Sequence, residues 1–181
     1  MYLFENETPR IIAFVGNKAC GKSHIAKTVA KLLRYNGERD KNSSKPAYAD
    51  VNILQFASPI RYMAAALGVP YENMNGTDDQ KNESLEHLCG ATGRKILQTL
   101  GTEWGREAIH PEIWVNLMAK KLDTILNDDL VFHPQYCLID DMRFLNEADM
   151  IKEKNGIVVR VKNNNLANSD NHKSENELNQ I

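Results

Sequence analysis

Nowhere does this sequence approach the run of about 18 apolar residues that a membrane-crossing helix needs, so no membrane partner is expected. Cysteine is scarce. Cys20, Cys89 and Cys137 are odd in number, far apart and form no C-x-x-C pair. That argues against a disulfide frame or a cysteine zinc site and predicts reduced thiols in a cytoplasm. Neither sign of charge dominates, since the net charge is −2. No global pull toward a nucleic acid polymer follows, and an anionic substrate must meet locally concentrated positive charge. Internal repeats are absent, and the start, Met1-Tyr2-Leu3-Phe4-Glu5-Asn6-Glu7, lacks the basic-then-apolar layout of a secretory leader. With 42% hydrophobic and 25% charged residues in 181, the expectation is one globular domain over 1–181. Its polar excursions lie near 38–50 and 69–92, with an Asn-rich segment at 162–181.

What the sequence does contain is Gly16-Asn17-Lys18-Ala19-Cys20-Gly21-Lys22-Ser23, which fits G-x-x-x-x-G-K-[ST]. Gly16 and Gly21 let the backbone curl so that successive N–H groups face phosphate oxygens. Lys22 brings a point charge to the outer phosphates, and the Ser23 hydroxyl can hold Mg²⁺. Context agrees: Ile11 to Val15 reads as a buried strand entering the loop, and Lys22 to Tyr35 as a helix leaving it. In that helix Ile25, Val29, Leu32 and Leu33 recur at helical spacing, and Asn36-Gly37 stops it. Gly16 through His24 are the candidate ATP-binding residues.

Further along, Glu38 to Ala49 reads as a long polar loop and Val51 to Phe56 as a second strand. Ser58-Pro59 reads as an N-cap with proline at the first helical position, opening a short helix to Leu67 that stops at Gly68. Val69 to His87 reads as a solvated loop. Gly93 to Glu107 is a helix interrupted by Gly101 and Gly105, glycines against propensity that suggest close approach of backbone or ligand, or a plain kink. After Pro111, Trp114, Leu117, Met118, Leu122, Ile125 and Leu126 form a core stripe, with no ligand role for Trp114. Asn127 to Pro134 is a loop. Tyr136 to Ile139 is a third strand ending in Asp140-Asp141. Leu145 to Asn155 is a helix with Gly156 at its C-cap, and Ile157 to Val161 is a fourth strand. Strands alternating with helices predict an α/β fold, with a mostly parallel sheet of four to five strands covered on both faces. Ligands of such sheets bind beyond the carboxyl ends of the strands, where the glycine loop, Ser58 and Asp140-Asp141 fall.

Phosphoryl transfer needs positioning and positive charge more than covalent help. A kinase for a phosphorylated acceptor needs a second set of cations, and Arg61, Arg94, Arg106 and Arg143 are available. Adjacent strand residues face opposite sides, so one of Asp140 and Asp141 is expected to face the loop and its metal. No acidic residue follows Asp141 to activate water, and no N-K-x-D guanine-reading motif occurs. Both absences favour a small-molecule kinase.

The run Gly93-Arg94-Lys95-Ile96-Leu97-Gln98-Thr99-Leu100-Gly101-Thr102-Glu103-Trp104-Gly105-Arg106, with Ile113-Trp114-Val115, resembles the deoxynucleoside monophosphate kinases of tailed bacteriophages. So do Phe56-Ala57-Ser58-Pro59-Ile60, Asp141-Met142-Arg143-Phe144-Leu145-Asn146-Glu147-Ala148, Val158 to Val161 and Asp170 to Glu175. The resemblance implies an adenylate-kinase-like, three-layer P-loop fold and Mg²⁺-dependent transfer of the ATP γ-phosphoryl group to a deoxynucleoside 5′-monophosphate. It places Lys22 and Ser23 on ATP·Mg²⁺ and Asp141, as metal ligand, with Arg143 at the transfer centre. Arg61, Arg94, Gln98, Trp104 and Arg106 become candidates for the monophosphate pocket. Lys162 stands where relatives often place an arginine-containing segment, and the sequence ends at Ile181 where they have a further strand and helix. The donor-base pocket and a further edge strand are therefore left open by the sequence. His172 has no role derivable from the sequence, and a homodimer stays open. The alternatives are a P-loop kinase for a phosphomevalonate- or dephospho-coenzyme-A-type acceptor, and a nucleotide-binding module without turnover.

Overall fold

The computed structural model describes residues 10–17, 20–35, 49–127 and 135–162. The loops expected at 38–48 and 128–134 and the segment from 163 onward, with His172, lie outside the described residues. The chain forms two compact units, Phe56–Met118 and the remainder, Met1–Gln55 with Ala119–Ile181.

The larger unit is built on a four-stranded sheet of β1 (Ile11–Val15), β2 (Asp50–Leu54), β5 (Gln135–Met142) and β6 (Ile157–Arg160). The spatial order is β2-β5-β1-β6, and every pairing is parallel. Alternation along β1 sends Phe14 to one face and Ile11, Ala13 and Val15 to the other, all of them buried. On the Phe14 face lies α1 (Lys22–Tyr35), whose Ala26 and Ala30 share a buried cluster with Phe14, Val51 and Leu138. The alanines let the helix approach the sheet closely, and Ile25, Val29 and Leu33 flank them. The opposite face carries α7 (Leu145–Glu153), whose Ile151 meets Ile11 beside Gly156. Helices on both faces of a parallel sheet give the expected three-layer α/β architecture.

Connectivity fixes where a ligand can bind. From β1 the chain returns through α1 to β2 on one side, and from β5 it returns through α7 to β6 on the other. Because β1 and β5 are neighbours whose onward connections part in opposite directions, their carboxyl ends flank a crevice of the kind that binds ligands in open α/β sheets.

The smaller unit holds α2 (Ser58–Ala66), α3 (Tyr71–Asn75), α4 (Asp78–Asn82), a hairpin of β3 (Ser84–Leu85) and β4 (Ala91–Thr92), and α5 (Gly93–Gln98). A π-helical stretch, Thr99–Ile109, continues α5, and α6 (Ile113–Leu126) runs from this unit into the larger one. One buried cluster of this unit joins Ala64, Val69, Met74 and Leu85.

Several sequence expectations are corrected. The 69–87 stretch is not a solvated loop. Thr77 and Gln80 cap α4 reciprocally, and the buried Asn73 amide donates to the Gln80 carbonyl and the Glu83 carboxylate. Ser58 is not an N-cap: the helix begins at Ser58 itself, behind Ala57, with no side-chain cap. Leu117 is exposed, and Val115 takes its place in the core. At the end of α7 the left-handed residue is Asn155, at φ 55°, not Gly156. Gly156 is needed because any Cβ there would press on Ile151 and Ile11. β5 runs one residue past the two aspartates, to Met142.

Candidate active site

At the end of β1 the chain enters the glycine loop with Gly16 at φ +155°, and a Cβ at this position would strike the Val161 carbonyl and the Cys20 sulfur. Val161 in turn donates its N–H to the Val15 carbonyl at 2.7 Å, so the end of β6 pins the loop's base. Gly21, at φ +101°, has open space around it, so its need for glycine is purely conformational. Its carbonyl accepts the first helical bond, from Ile25 N–H at 3.0 Å. The Lys22 ammonium folds back over the loop, donating to the Gly16 carbonyl and to the Asn17 carbonyl at 2.8 Å, with Cys20 Sγ at 3.8 Å. Ser23 and His24 lie exposed in the first turn of α1, and Asn17 and Cys20 lie in the loop. Lys18 and Ala19 lie outside the described residues.

Beside the loop runs the end of β5. The register passes from Ala13 opposite Ile139 to Val15 opposite Met142, so two β5 residues, Asp140 and Asp141, share the place opposite Phe14. This is a β-bulge, a device that re-aims side chains next to functional sites. Strict alternation therefore does not hold at the two residues to which the sequence reading applied it. Asp140 is buried, 4% exposed, and accepts a 2.8 Å hydrogen bond from the Gln55 side-chain amide just past β2. Asp141 is half-buried. Beyond Met142, Arg143 turns out into solvent. Its backbone N–H donates to Glu147 Oε2 at 2.8 Å, and the Phe144 N–H donates to the same oxygen at 3.1 Å.

The residues expected for an acceptor pocket fall in the smaller unit. Arg61 is half-buried on α2, and Gln98 is exposed at the end of α5. The Arg94 guanidinium is held by α4, with Nη2 to Asp78 at 2.8 Å and Nε to Asn82 at 2.9 Å. Trp104 and Arg106 sit on the π-helical stretch. Trp104 is 42% exposed, its ring 6.3 Å from that of Trp114 at a 42° tilt. Arg106 Nη1 reaches the Pro111 carbonyl at 3.1 Å. The two glycines of this stretch are explained by Trp114, whose indole N–H donates to the Gly101 carbonyl at 2.7 Å and whose ring would collide with a Cβ at Gly105. The anomaly reflects close packing by a buried core residue.

A family model for deoxynucleotide monophosphate kinase matches residues 59–180. A mimivirus protein named as a deoxynucleotide monophosphate kinase, from Acanthamoeba polyphaga mimivirus, is 34% identical over 175 residues, covering 94% of this chain and 83% of the relative. The chain belongs to the deoxynucleotide monophosphate kinase family. The deoxynucleoside-5′-monophosphate kinase of Escherichia phage T5 is 39% identical over 77 residues, 42% of this kinase and 28% of the phage enzyme. The kinase is thus a phosphotransferase, in agreement with the fold and the glycine loop.

Two features of the kinase were missed in the sequence. Glu147 stands three residues after Phe144, the spacing of a helix-capping glutamate, and could have been found. Gln55 carried no such signal, since its pairing with Asp140 depends on the strand order β2-β5.

Proposed function

We propose that the protein transfers the γ-phosphoryl group of ATP to a deoxynucleoside 5′-monophosphate, giving ADP and the deoxynucleoside diphosphate, with both units working as one kinase domain. The observation that carries this reading is the pairing of Val15 with Met142, which sets the glycine loop and the Asp140–Arg143 segment at neighbouring strand ends.

Gly16 to His24 hold the donor phosphates through backbone N–H groups, and Lys22 exchanges its loop carbonyls for phosphate oxygens. Arg143, with its side chain in solvent, meets the charge that spreads over the transferring group. Among the described residues there is no cluster of three or more His, Cys, Asp or Glu suited to a metal. Mg²⁺ in such sites is held chiefly by phosphates and water and asks for only one or two hard oxygen ligands. The donor set fits that requirement: the Ser23 hydroxyl on α1 and the Asp141 carboxylate. Held there, Mg²⁺ would neutralise charge that develops on the transferring phosphoryl group. On the acceptor side, Arg61 and Arg106 supply cations, Trp104 and Gln98 supply contact surface, and Arg94 offers what its bonds to Asp78 and Asn82 leave over. The kinase acts as a cytoplasmic enzyme on free nucleotides, with no nucleic acid polymer as partner.

A coupled ADP-release assay across a panel of monophosphates tests this. Turnover with deoxynucleoside monophosphates supports it. Turnover only with a phosphorylated non-nucleotide, or tight ATP binding without turnover, overturns it.

A further inference from the structure

We infer that Glu147 is a positioning residue for phosphoryl transfer, acting through Arg143. This rests on the reading of Arg143 as a transfer-centre residue. A residue's backbone has two soft dihedrals, φ and ψ, set by the orientation of the peptide planes before and after its Cα. The plane before Arg143 carries the Arg143 N–H, and the plane after it carries the Phe144 N–H. Both donate to one atom, Glu147 Oε2, at 2.8 and 3.1 Å. A single oxygen thus ties down both planes and fixes the direction in which the Arg143 side chain leaves the backbone. The carboxylate can act as such an anchor because it is 2% exposed, on a helix packed against the sheet. Ionised, it makes charge-assisted bonds at the start of α7, where the helix dipole favours negative charge. The arginine it orients is exposed, and among the described residues its guanidinium has no hydrogen-bond or ion-pair partner. The backbone therefore sets the Cα–Cβ direction from which this side chain reaches out.

A plain helix cap would also cost stability when removed, so the test must separate aim from stability. Turnover, Michaelis constants and melting temperature are measured for wild type, Glu147→Ala, Glu147→Gln, Arg143→Ala and the Glu147→Ala/Arg143→Ala double variant. Misplacing a catalytic group by about 1 Å costs on the order of a hundredfold, so Glu147→Ala is expected to lose turnover on that scale with the Michaelis constant for ATP little changed. Glu147→Gln retains an oxygen able to accept both N–H groups and is expected to restore most of the turnover. The double variant is expected to turn over no more slowly than Arg143→Ala alone, while its melting temperature drops further by the full Glu147→Ala decrement. Should Glu147→Ala not fold, Glu147→Asp, which keeps the charge but withdraws the oxygen, takes its place in the same comparison.

Losses in turnover that multiply in the double variant would overturn the inference and leave the Arg143 reading standing. A Glu147→Ala protein that melts lower yet turns over normally would do the same. Wild-type turnover in Arg143→Ala would overturn the Arg143 reading, and this inference with it.

Discussion

Gln55 donates its side-chain amide to Asp140 at 2.8 Å, bridging the ends of β2 and β5 beneath the bulge. A buried carboxylate that accepts from a neutral amide is engaged structurally, and on the proposed reading Asp141, half-buried beside it, is the carboxylate for Mg²⁺. Asp141→Asn keeps the shape and removes the charge. It is expected to cut Mg²⁺-dependent turnover by roughly tenfold or more with little change in melting temperature. Asp140→Asn, and Gln55→Leu from the other side of the bond, are expected to lower the melting temperature first. Thermal melts and a Mg²⁺ titration on all three decide between the aspartates, and a reversed pattern moves the metal to Asp140.

Lys22 caps its own loop through the carbonyls of Gly16 and Asn17. Lys22→Ala is expected to fold normally and lose turnover on the order of a hundredfold or more, since the proposed role of the ammonium is to meet charge that grows in the transition state. Steady-state kinetics with circular dichroism as a fold check suffices.

On the proposed acceptor side, Arg106→Lys keeps the charge but loses the planar fork. The Michaelis constant for the monophosphate is expected to rise while that for ATP stays put. Arg94 carries an added constraint in its ion pair with Asp78. Arg94→Lys is expected to raise the same constant, and Asp78→Asn, by freeing the guanidinium, to lower it. Equal effects on ATP would move both arginines to the donor side.

Gly105 lies under the Trp114 indole, where a Cβ has no room. Gly105→Ala is expected to destabilise by about 1–3 kcal/mol through overpacking, read as a lower denaturation midpoint.

Burial pushes the Cys137 thiol up to about 11 from 9.0, against the pull of Arg10 and Lys121. The folded state thus keeps a proton that the unfolded chain gives up between those values, so stability is whole below pH 9 and declines as pH rises toward 11. Melting temperatures across that window are expected to fall less steeply in Cys137→Ala.

The parts of the fold that sequence made legible are those governed by local pattern. The β1–loop–α1 unit follows from an apolar run, two glycines and helical spacing, and the parallel sheet follows from alternation of strands and helices. What escaped depends on partners distant in sequence. The 69–87 stretch looked like solvated loop because its order comes from Asn73 and Thr77 satisfying backbone and carboxylate groups, which hydrophobic spacing does not register. The bulge at Asp140-Asp141 appears only once β5 is laid against β1. Gly101 and Gly105 stood out as glycines against propensity, but the indole that explains them lies on the next helix.

The central claim, that this chain moves a phosphoryl group between nucleotides, is tested most directly by following the group itself. ATP labelled at its γ-phosphorus is incubated with a deoxynucleoside monophosphate and Mg²⁺, and the products are separated. The label is expected in the deoxynucleoside diphosphate with wild-type protein, and to appear there more slowly by on the order of a hundredfold or more with Lys22→Ala. Label that stays in ATP across the whole set of deoxynucleoside monophosphates, or leaves only as inorganic phosphate, would contradict it.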